Sequence, residues 1–430
     1  GLDETAFEML PENQIDSIML QSFFMNRRSI RCYKDKPVEE EIVKKAIELA
    51  IEPLCDFPFD SEASRANAIA TMFNPILRPM IDGPVPLAII DKPQAGTGAS
   101  LLSEVISLVA TGHSAAMMTA QKDDEGWRKA ITSLLMKGQL VVTIDNVEYD
   151  LDSPSLASIL TATTFQDRVL GRSEMVTLPN RTTWIATGNN IRLRGDLPRR
   201  CIWIRLDAKT ARPWQRDIKV FNHPRLVEWV SHNRGEILAA ILTIIRGWVV
   251  SGRPGAQGLP NLGGYESYCQ ILGGLMEFMG VKGFLANLNE MYDEADTETP
   301  QWEAFLEIWH EIIGDKPITT AELISYLNEK QELREALPDV VADTSVKNYT
   351  RRLGNALRNK KDVRFSNDYS VIRQNKKGKF GVKWQVVTLG MTIKNQSHQA
   401  ELASGGDSGD SGFTLTHGKN NNTNDNTYIN

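Results

Sequence analysis

Three short stretches of the chain are unbroken runs of apolar or β-branched residues, and between them apolar residues recur every three or four positions. Leu87–Ile90, Val141–Ile144 and the run through Trp184, Ile185 and Ala186 are too short and unbroken for amphipathic helices. They read as buried strands of a parallel sheet. The intervening segments read as helices: Ser100–Ala110, with Leu101, Leu102, Val105, Leu108 and Val109 on one side, then about Glu125–Met136 and Ser155–Thr163. Before the first strand, Val38–Ala50 predicts a helix with Glu39–Glu41 favoured in its first turn by the helix dipole, and SEASRANAIATMFNPILRP predicts another. TTFQDRVLGRSEM predicts a hairpin or insert, and residues 212–295 are mainly helical around the loop GRPGAQGLPNLGG. After acidic helices near DEADTETPQWEAFLEIWHEIIGD, ITTAELISYL predicts a helix capped by Thr319 or Thr320. TSVKNYTRRLGNALRNKK predicts a second helix, and VRFSNDYSVIRQNKKGKFGVKWQVVTL a β-hairpin with a KKGK turn. The end, rich in Gly, Ser, Asp and Asn, predicts disorder.

The junction after the first strand carries the richest chemistry. PLAIIDKPQAGTGAS runs from strand through glycine turn to helix start, so successive backbone N–H groups and the positive helix end can face one phosphate. Against the phosphate-loop pattern G-x-x-x-x-G-K-S/T, Pro93 replaces the first glycine, Gly96 and Gly98 lie in the loop, Ala99 takes the lysine position and Ser100 supplies the magnesium-binding hydroxyl. Lys92, Gln94, Ala95, Thr97 and Leu101 complete the candidate nucleotide contacts. A lysine at 99 would reach the β and γ phosphates and neutralise charge developing in transfer; Ala99 cannot. Three readings stay open: hydrolysis is lost, another cation such as Lys92 serves, or the loop only resembles a phosphate cradle. Downstream, the second strand ends in Asp145 and Asn146, a carboxylate at a strand tip suited to holding magnesium or its water. A buried strand ending in an ordinary turn would use the same letters.

Length and composition narrow the class. A chain of 430 residues with 41% hydrophobic and 24% charged residues is long enough for two or three domains with real cores. No apolar run approaches a membrane span, and GLDETAFEML lacks the basic and apolar regions of a secretory signal, so the expectation is a cytoplasmic protein without membrane contact. Cys32, Cys55, Cys201 and Cys269 lie far apart without C-x-x-C spacing, which points to packing residues and to neither a zinc site nor a disulfide framework. The net charge of −6 excludes a protein coated in positive charge, yet between Lys347 and Lys383 twelve Lys or Arg face two Asp. That local excess is the footprint expected for a phosphate backbone. Helix, helix and basic hairpin are the parts of a winged helix-turn-helix. Lys347, Arg351, Arg352 and Arg358 recur at helical spacing, and Lys376, Lys377 and Lys379 sit at the hairpin tip, as candidate DNA contacts. A solvated structural or protein-binding wing is the alternative.

Two resemblances add to this reading. NRRSIRCYKDKPVEEEIVKKAIELA resembles the opening of the nitroreductase family, which implies flavin contacts at Arg27, Arg28 and Ser29, although the remainder of that fold does not follow. The glycine loop, Asp145, the polar strand end Thr187-Gly188-Asn189-Asn190 and Arg199-Arg200, in that order, resemble an AAA+ module of the superfamily III and MCM-like helicase group carried by phages, plasmids and integrated elements. DFPF, DRVLGRSEM, WIATGNN and GDLPRRCIWIRLD are similar to ATP-binding proteins adjacent or fused to primases there, across roughly Leu54–Ala286.

The resemblance implies ATP and Mg2+ as ligands. It implies an attacking water oriented by Asn189, or next by Asn190, and an arginine finger at Arg199 or Arg200 that enters a neighbouring subunit. A homo-oligomeric ring, commonly a hexamer, would bind DNA, with a primase as a candidate partner. Asn146 stands where many such ATPases carry a water-activating glutamate. The expected fold class is α/β, a P-loop AAA+ core with a helical lid and a C-terminal winged helix-turn-helix. The expected divisions are an arm at 1–53, the core at 54–211, lid and connector at 212–314, winged helix at 315–392 and a tail at 393–430. Either a DNA-dependent motor or loader acting in replication, or a nucleotide-gated DNA-binding scaffold without efficient turnover, fits this organisation.

Overall fold

In a computed structural model, residues 38–168, 174–374 and 382–388 are described, and they divide into two compact units that meet in sequence at Ala295 and Asp296. The nitroreductase-like residues Arg27, Arg28 and Ser29, the hairpin-tip residues Lys376, Lys377 and Lys379, and the C-terminal tail lie outside the described residues.

The first unit is a mixed α/β structure. In chain order its helices and strands are α1 (Glu40–Ile51), α2 (Glu62–Leu77), β1 (Leu87–Lys92), α3 (Ala99–Thr111), β2 (Ala116–Thr119), α4 (Asp124–Met136) and β3 (Val141–Val147). They continue as α5 (Pro154–Thr161), β4 (Thr164–Arg168), β5 (Met175–Pro179), β6 (Thr183–Asn189), β7 (Cys201–Arg205), α6 (Leu226–Val250), α7 (Glu266–Phe278) and α8 (Leu288–Ala295). Five strands form a sheet in the order β2-β3-β6-β1-β7, every neighbouring pair parallel. The continuous apolar runs of the sequence are its central strands: all of β1 is buried, and β6 is buried until Asn189 at its tip. Strands covered on both faces have no polar side to alternate with, which is why they read as unbroken apolar runs. β2, by contrast, alternates half-buried and exposed residues at the sheet edge. It lies in a stretch that otherwise reads as a polar loop.

Two features aim the sheet's C-terminal edge. β3 and β6 slip register between Ile144 and Val147, and Asn146 takes a positive φ of 52°, so the strand bulges where its polar residues begin. Gly188 fits because a Cβ there would lie 2.7 Å from the Val147 carbonyl oxygen and 2.7 Å from Ile191. Within 212–295 the helical structure lies in α6, α7 and α8, whereas residues 206–225 hold only single 3-10 turns at Pro213–Gln215 and Ile218–Val220 before the long α6 begins. Pro213 and the polar run around it deny this segment a helical repeat.

The second unit has its own core. α9 (Thr299–Ile313), at the end of the segment expected as a connector, buries Trp302, Phe305 and Trp309 there, with neighbouring rings edge-to-face at 5.9 and 5.6 Å. β8 (Ile318–Thr319) precedes α10 (Thr320–Glu329), whose N-terminus is closed by a capping box between Thr319 and Glu322. Short helices α11 (Gln331–Glu335) and α12 (Asp339–Ala342) lead to α13 (Tyr349–Asn359), then β9 (Tyr369–Gln374) and β10 (Lys383–Thr388). These strands form an antiparallel sheet in the order β8-β10-β9.

Candidate nucleotide site

The glycine loop between β1 and α3 turns sharply because two of its residues are glycines in the left-handed region, Gly96 at φ 80° and Gly98 at φ 106°. Gly98 caps α3, and the Leu102 N–H returns to the Gly98 carbonyl at 2.8 Å. The N–H groups of Ala99, Ser100 and Leu101 are thus first-turn donors without an intrahelical acceptor, at the positive end of a 13-residue helix. Gln94, Ala95, Gly96 and Ser100 are exposed, whereas the Thr97 and Ala99 side chains are buried.

Facing this helix end is the tip of β3. Ser100 Oγ donates to Asp145 Oδ1 at 2.8 Å, and Thr187 Oγ1 donates to the same oxygen at 2.6 Å. Thr187 also accepts the Asn146 N–H at 3.2 Å. Three segments far apart in sequence therefore meet on one carboxylate. The parallel sheet brings them together: Lys92 pairs with Asn189 and Asp91 with Gly188, so the ends of β1, β3 and β6 lie side by side. Such a crevice beyond the carboxyl ends of parallel strands is where ligands bind in open α/β sheets.

Lys92 supplies positive charge here. Its side chain is buried, with Nζ 3.3 Å from the Gly188 carbonyl that it donates to. Burial pulls its pKa down, and the carboxylates of Asp145 and Asp91 oppose that shift. Asp91, buried beside it, is pushed upward by desolvation while its carboxylate accepts the Ile191 N–H at 2.9 Å. Asn189 is exposed at the end of β6, and the Asn190 N–H donates to the Lys92 carbonyl at 3.1 Å. Asn146, at the bulge, has its side-chain amide donating to Glu148 Oε1 at 2.8 Å.

The two arginines before β7 separate in their surroundings. Arg200 is 12% exposed and ties the α5 end to its own turn, donating to the Ala157 carbonyl and, at 3.0 Å, to Asp196. Arg199 is 64% exposed and, among the described residues, is held by Asp196 at 2.9 Å. Sequence spacing cannot distinguish them; the carbonyl that occupies Arg200 does.

Segment 206–225 crosses the loop and adds residues that sequence patterning does not reveal. Trp214 lies so close that a Cβ on Gly96 would approach its Cβ to 2.9 Å. Arg216 stacks on Phe221 at 5.0 Å and reaches toward the Thr97 carbonyl at 3.5 Å. Thr97, Arg216 and Phe221, with Phe57, Gly98, Leu101 and Ile218, line a cleft of about 460 Å³ that opens beside the glycine loop. Pocket size and mixed lining fall in the range of small-ligand sites.

In the second unit, α13 buries Tyr349, Leu353 and Leu357 and exposes Arg351, Arg352 and Arg358. Arg351 and Arg358, seven residues apart, share a face, while the Arg352 Nε donates to the Val340 carbonyl at 3.0 Å. Lys347 is not on this helix: Asn348 caps it in a left-handed conformation at φ 69°, which ends the helical path before Lys347.

No family model and no curated protein matches the chain. Among solved structures, the NrS-1 C-terminal region is similar at 15% identity over 75% of this chain and 63% of that one, with a TM-score of 0.30. This chain therefore spans less than two thirds of that structure's length. A JCV helicase bound to a small-molecule acetamide is similar at 9% identity over 67% of this chain and 70% of that one, with a TM-score of 0.28.

Proposed function

We propose that the first unit binds Mg2+-ATP and that the protein is an AAA+ helicase-like motor or loader of the superfamily III type, acting on DNA during replication of a mobile element. The observation that carries the nucleotide reading is the convergence of Ser100, Asp145 and Thr187 at the N-terminus of α3. A hydroxyl and a carboxylate oxygen 2.8 Å apart are hard oxygen donors of the kind that suits Mg2+. Bound there, Mg2+ would neutralise charge on phosphate oxygens.

The chain's own groups do the rest. First-turn N–H groups of α3 and the loop amides hold phosphates, and Phe57, Ile218 and Phe221 offer apolar surface for a base. Asn189 orients water, and Arg199, free of carbonyl contacts, serves a neighbouring subunit in a ring. With Ala99 at the lysine position, Lys92, whose ammonium feels the Asp145 carboxylate, is the candidate cation. Its ammonium is held back by the Gly188 carbonyl, so turnover is slow relative to a loop lysine. A nucleotide-gated scaffold is the second reading, favoured by Ala99 and by Asn146, whose amide is occupied by Glu148.

In this reading α6 and α7 form the lid and the second unit is a winged helix-turn-helix whose α13 meets DNA through Arg351 and Arg358. ATP turnover by the full chain, compared with Ala99→Lys, tests the proposal. Slow turnover that accelerates on restoring the lysine supports a motor; binding with no turnover in either protein supports the scaffold.

A further inference from the structure

Away from the phosphate cradle, the end of α1 and the strap before α6 bring together a cysteine, a histidine and a glutamate. Glu52–Leu54 continues α1 as a 3-10 turn, closed by the Cys55 N–H to the Glu52 carbonyl at 3.1 Å. Residues three apart eclipse on such a turn, so Glu52 and Cys55 share one face. His223 comes to that face from the strap, its Nε2 2.9 Å from Glu52 Oε1. One ligand atom from each of the three lies within 4.8 Å of the other two.

We propose that Glu52, Cys55 and His223 form a binding site for a zinc-class divalent transition-metal ion, with a fourth position open to water. The donor set fits that class: thiolate and imidazole select borderline-soft ions, whereas Mg2+ and Ca2+ take oxygen shells. Tetrahedral bonds of about 2.3 Å to sulfur and about 2.1 Å to nitrogen put neighbouring ligand atoms between about 3 and 4 Å apart, so small side-chain rotations suffice.

The frame around the three is already fixed. Both carboxylate oxygens of Asp56 hold the strap, accepting the Asn222 and His223 N–H groups at 2.9 and 2.8 Å. The His223 ring stacks on Trp229 with centroids 3.8 Å apart, which sets its plane. Backbone and ring are oriented by partners outside the ligand set, as at established metal sites. Cys55 binds as the thiolate and yields its proton to solvent. Because Asp56 and His223 also line the cleft beside the glycine loop, the ion would pin the strap where it borders that cleft. The metal site stands whether or not the cleft takes ATP.

The test is equilibrium dialysis of the full chain against Zn2+ with metal quantification, and the absorption spectrum of the Co2+-loaded protein. One ion per chain, a thiolate-to-cobalt charge-transfer band and loss of both in Cys55→Ser are expected. His223→Gln should weaken binding by at least the roughly tenfold to hundredfold that loss of a mere supporting partner costs. Cys55 is exposed, so its replacement leaves the core intact, and the cobalt spectrum of the unmodified chain requires no variant. Absence of a stoichiometric ion, a cobalt spectrum without the thiolate band, or full binding by Cys55→Ser would overturn the site and leave a hydrogen-bonded tie between α1 and the strap.

Discussion

Ser100 and Asp145, 45 residues apart, share a hydrogen bond of 2.8 Å that joins the N-terminus of α3 to the tip of β3. Thr187 donates to the same carboxylate oxygen at 2.6 Å. If the pair of Ser100 and Asp145 forms the metal half of a nucleotide site, Asp145→Asn should bind ATP with Mg2+ at least about tenfold more weakly, the change expected when charge assistance of about 1.5–3 kcal/mol is removed. Binding without Mg2+ should change little. Isothermal titration in the two conditions separates these outcomes.

Lys92 makes a pH-dependent prediction. Its pKa is lowered by burial, so ATP affinity should fall as pH rises through that lowered value, below the usual lysine range, and Lys92→Met should be weak and flat across the same window. Stability without nucleotide should run the other way. Between the lowered folded value and the ordinary one the unfolded chain binds more protons, so stability rises with pH there. Affinity that does not respond to pH in the parent would remove Lys92 from the phosphate site.

Arg199 and Arg200 should respond differently to the same truncation. Arg200→Ala removes a half-buried tie to Ala157 and Asp196 and should destabilise the first unit by roughly 1–3 kcal/mol, read by thermal unfolding. Arg199→Ala should leave stability within about 0.5 kcal/mol. It should nonetheless abolish whatever turnover the assembly has, and mixing with Asp145→Ala subunits should restore part of it. Turnover by a monomer equal to that of any assembly would contradict a role in trans.

Legibility in the sequence follows burial. β1, β3 and β6 can be read because strands covered on both faces are unbroken apolar runs, and α3 because its apolar residues repeat along one face. β2 cannot, since four alternating residues at a sheet edge look like the loop around them. Asp145 and Ser100 are recognisable as chemistry, but that Thr187 reaches the same carboxylate depends on β3 lying beside β6, a fact of topology. The strap is hidden for a different reason: Trp214, Arg216 and His223 carry no periodicity, and only its path over Gly96 brings them to the loop. Lys347 misleads because helical spacing extends past Asn348, where the backbone departs from the helix.

The exposed face of α13 predicts salt-dependent DNA binding. Arg351→Ala with Arg358→Ala should weaken affinity for all sequences and flatten the dependence of log affinity on log salt by about two units, one for each phosphate no longer neutralised. Arg352→Ala, whose guanidinium is occupied at Val340, should change the slope less. Fluorescence anisotropy of the full chain on duplex and single-stranded DNA across a salt series checks both.

The nucleotide reading rests above all on the Ser100 and Asp145 junction under the glycine loop being a Mg2+-ATP site despite Ala99. Calorimetric titration of the full chain with ATP, with and without Mg2+, alongside Ser100→Ala, decides it. One nucleotide per chain is expected, bound more tightly with Mg2+, and the Mg2+ effect should disappear in Ser100→Ala. No heat of binding at millimolar ATP, or a Mg2+ effect undiminished by Ser100→Ala, would contradict it.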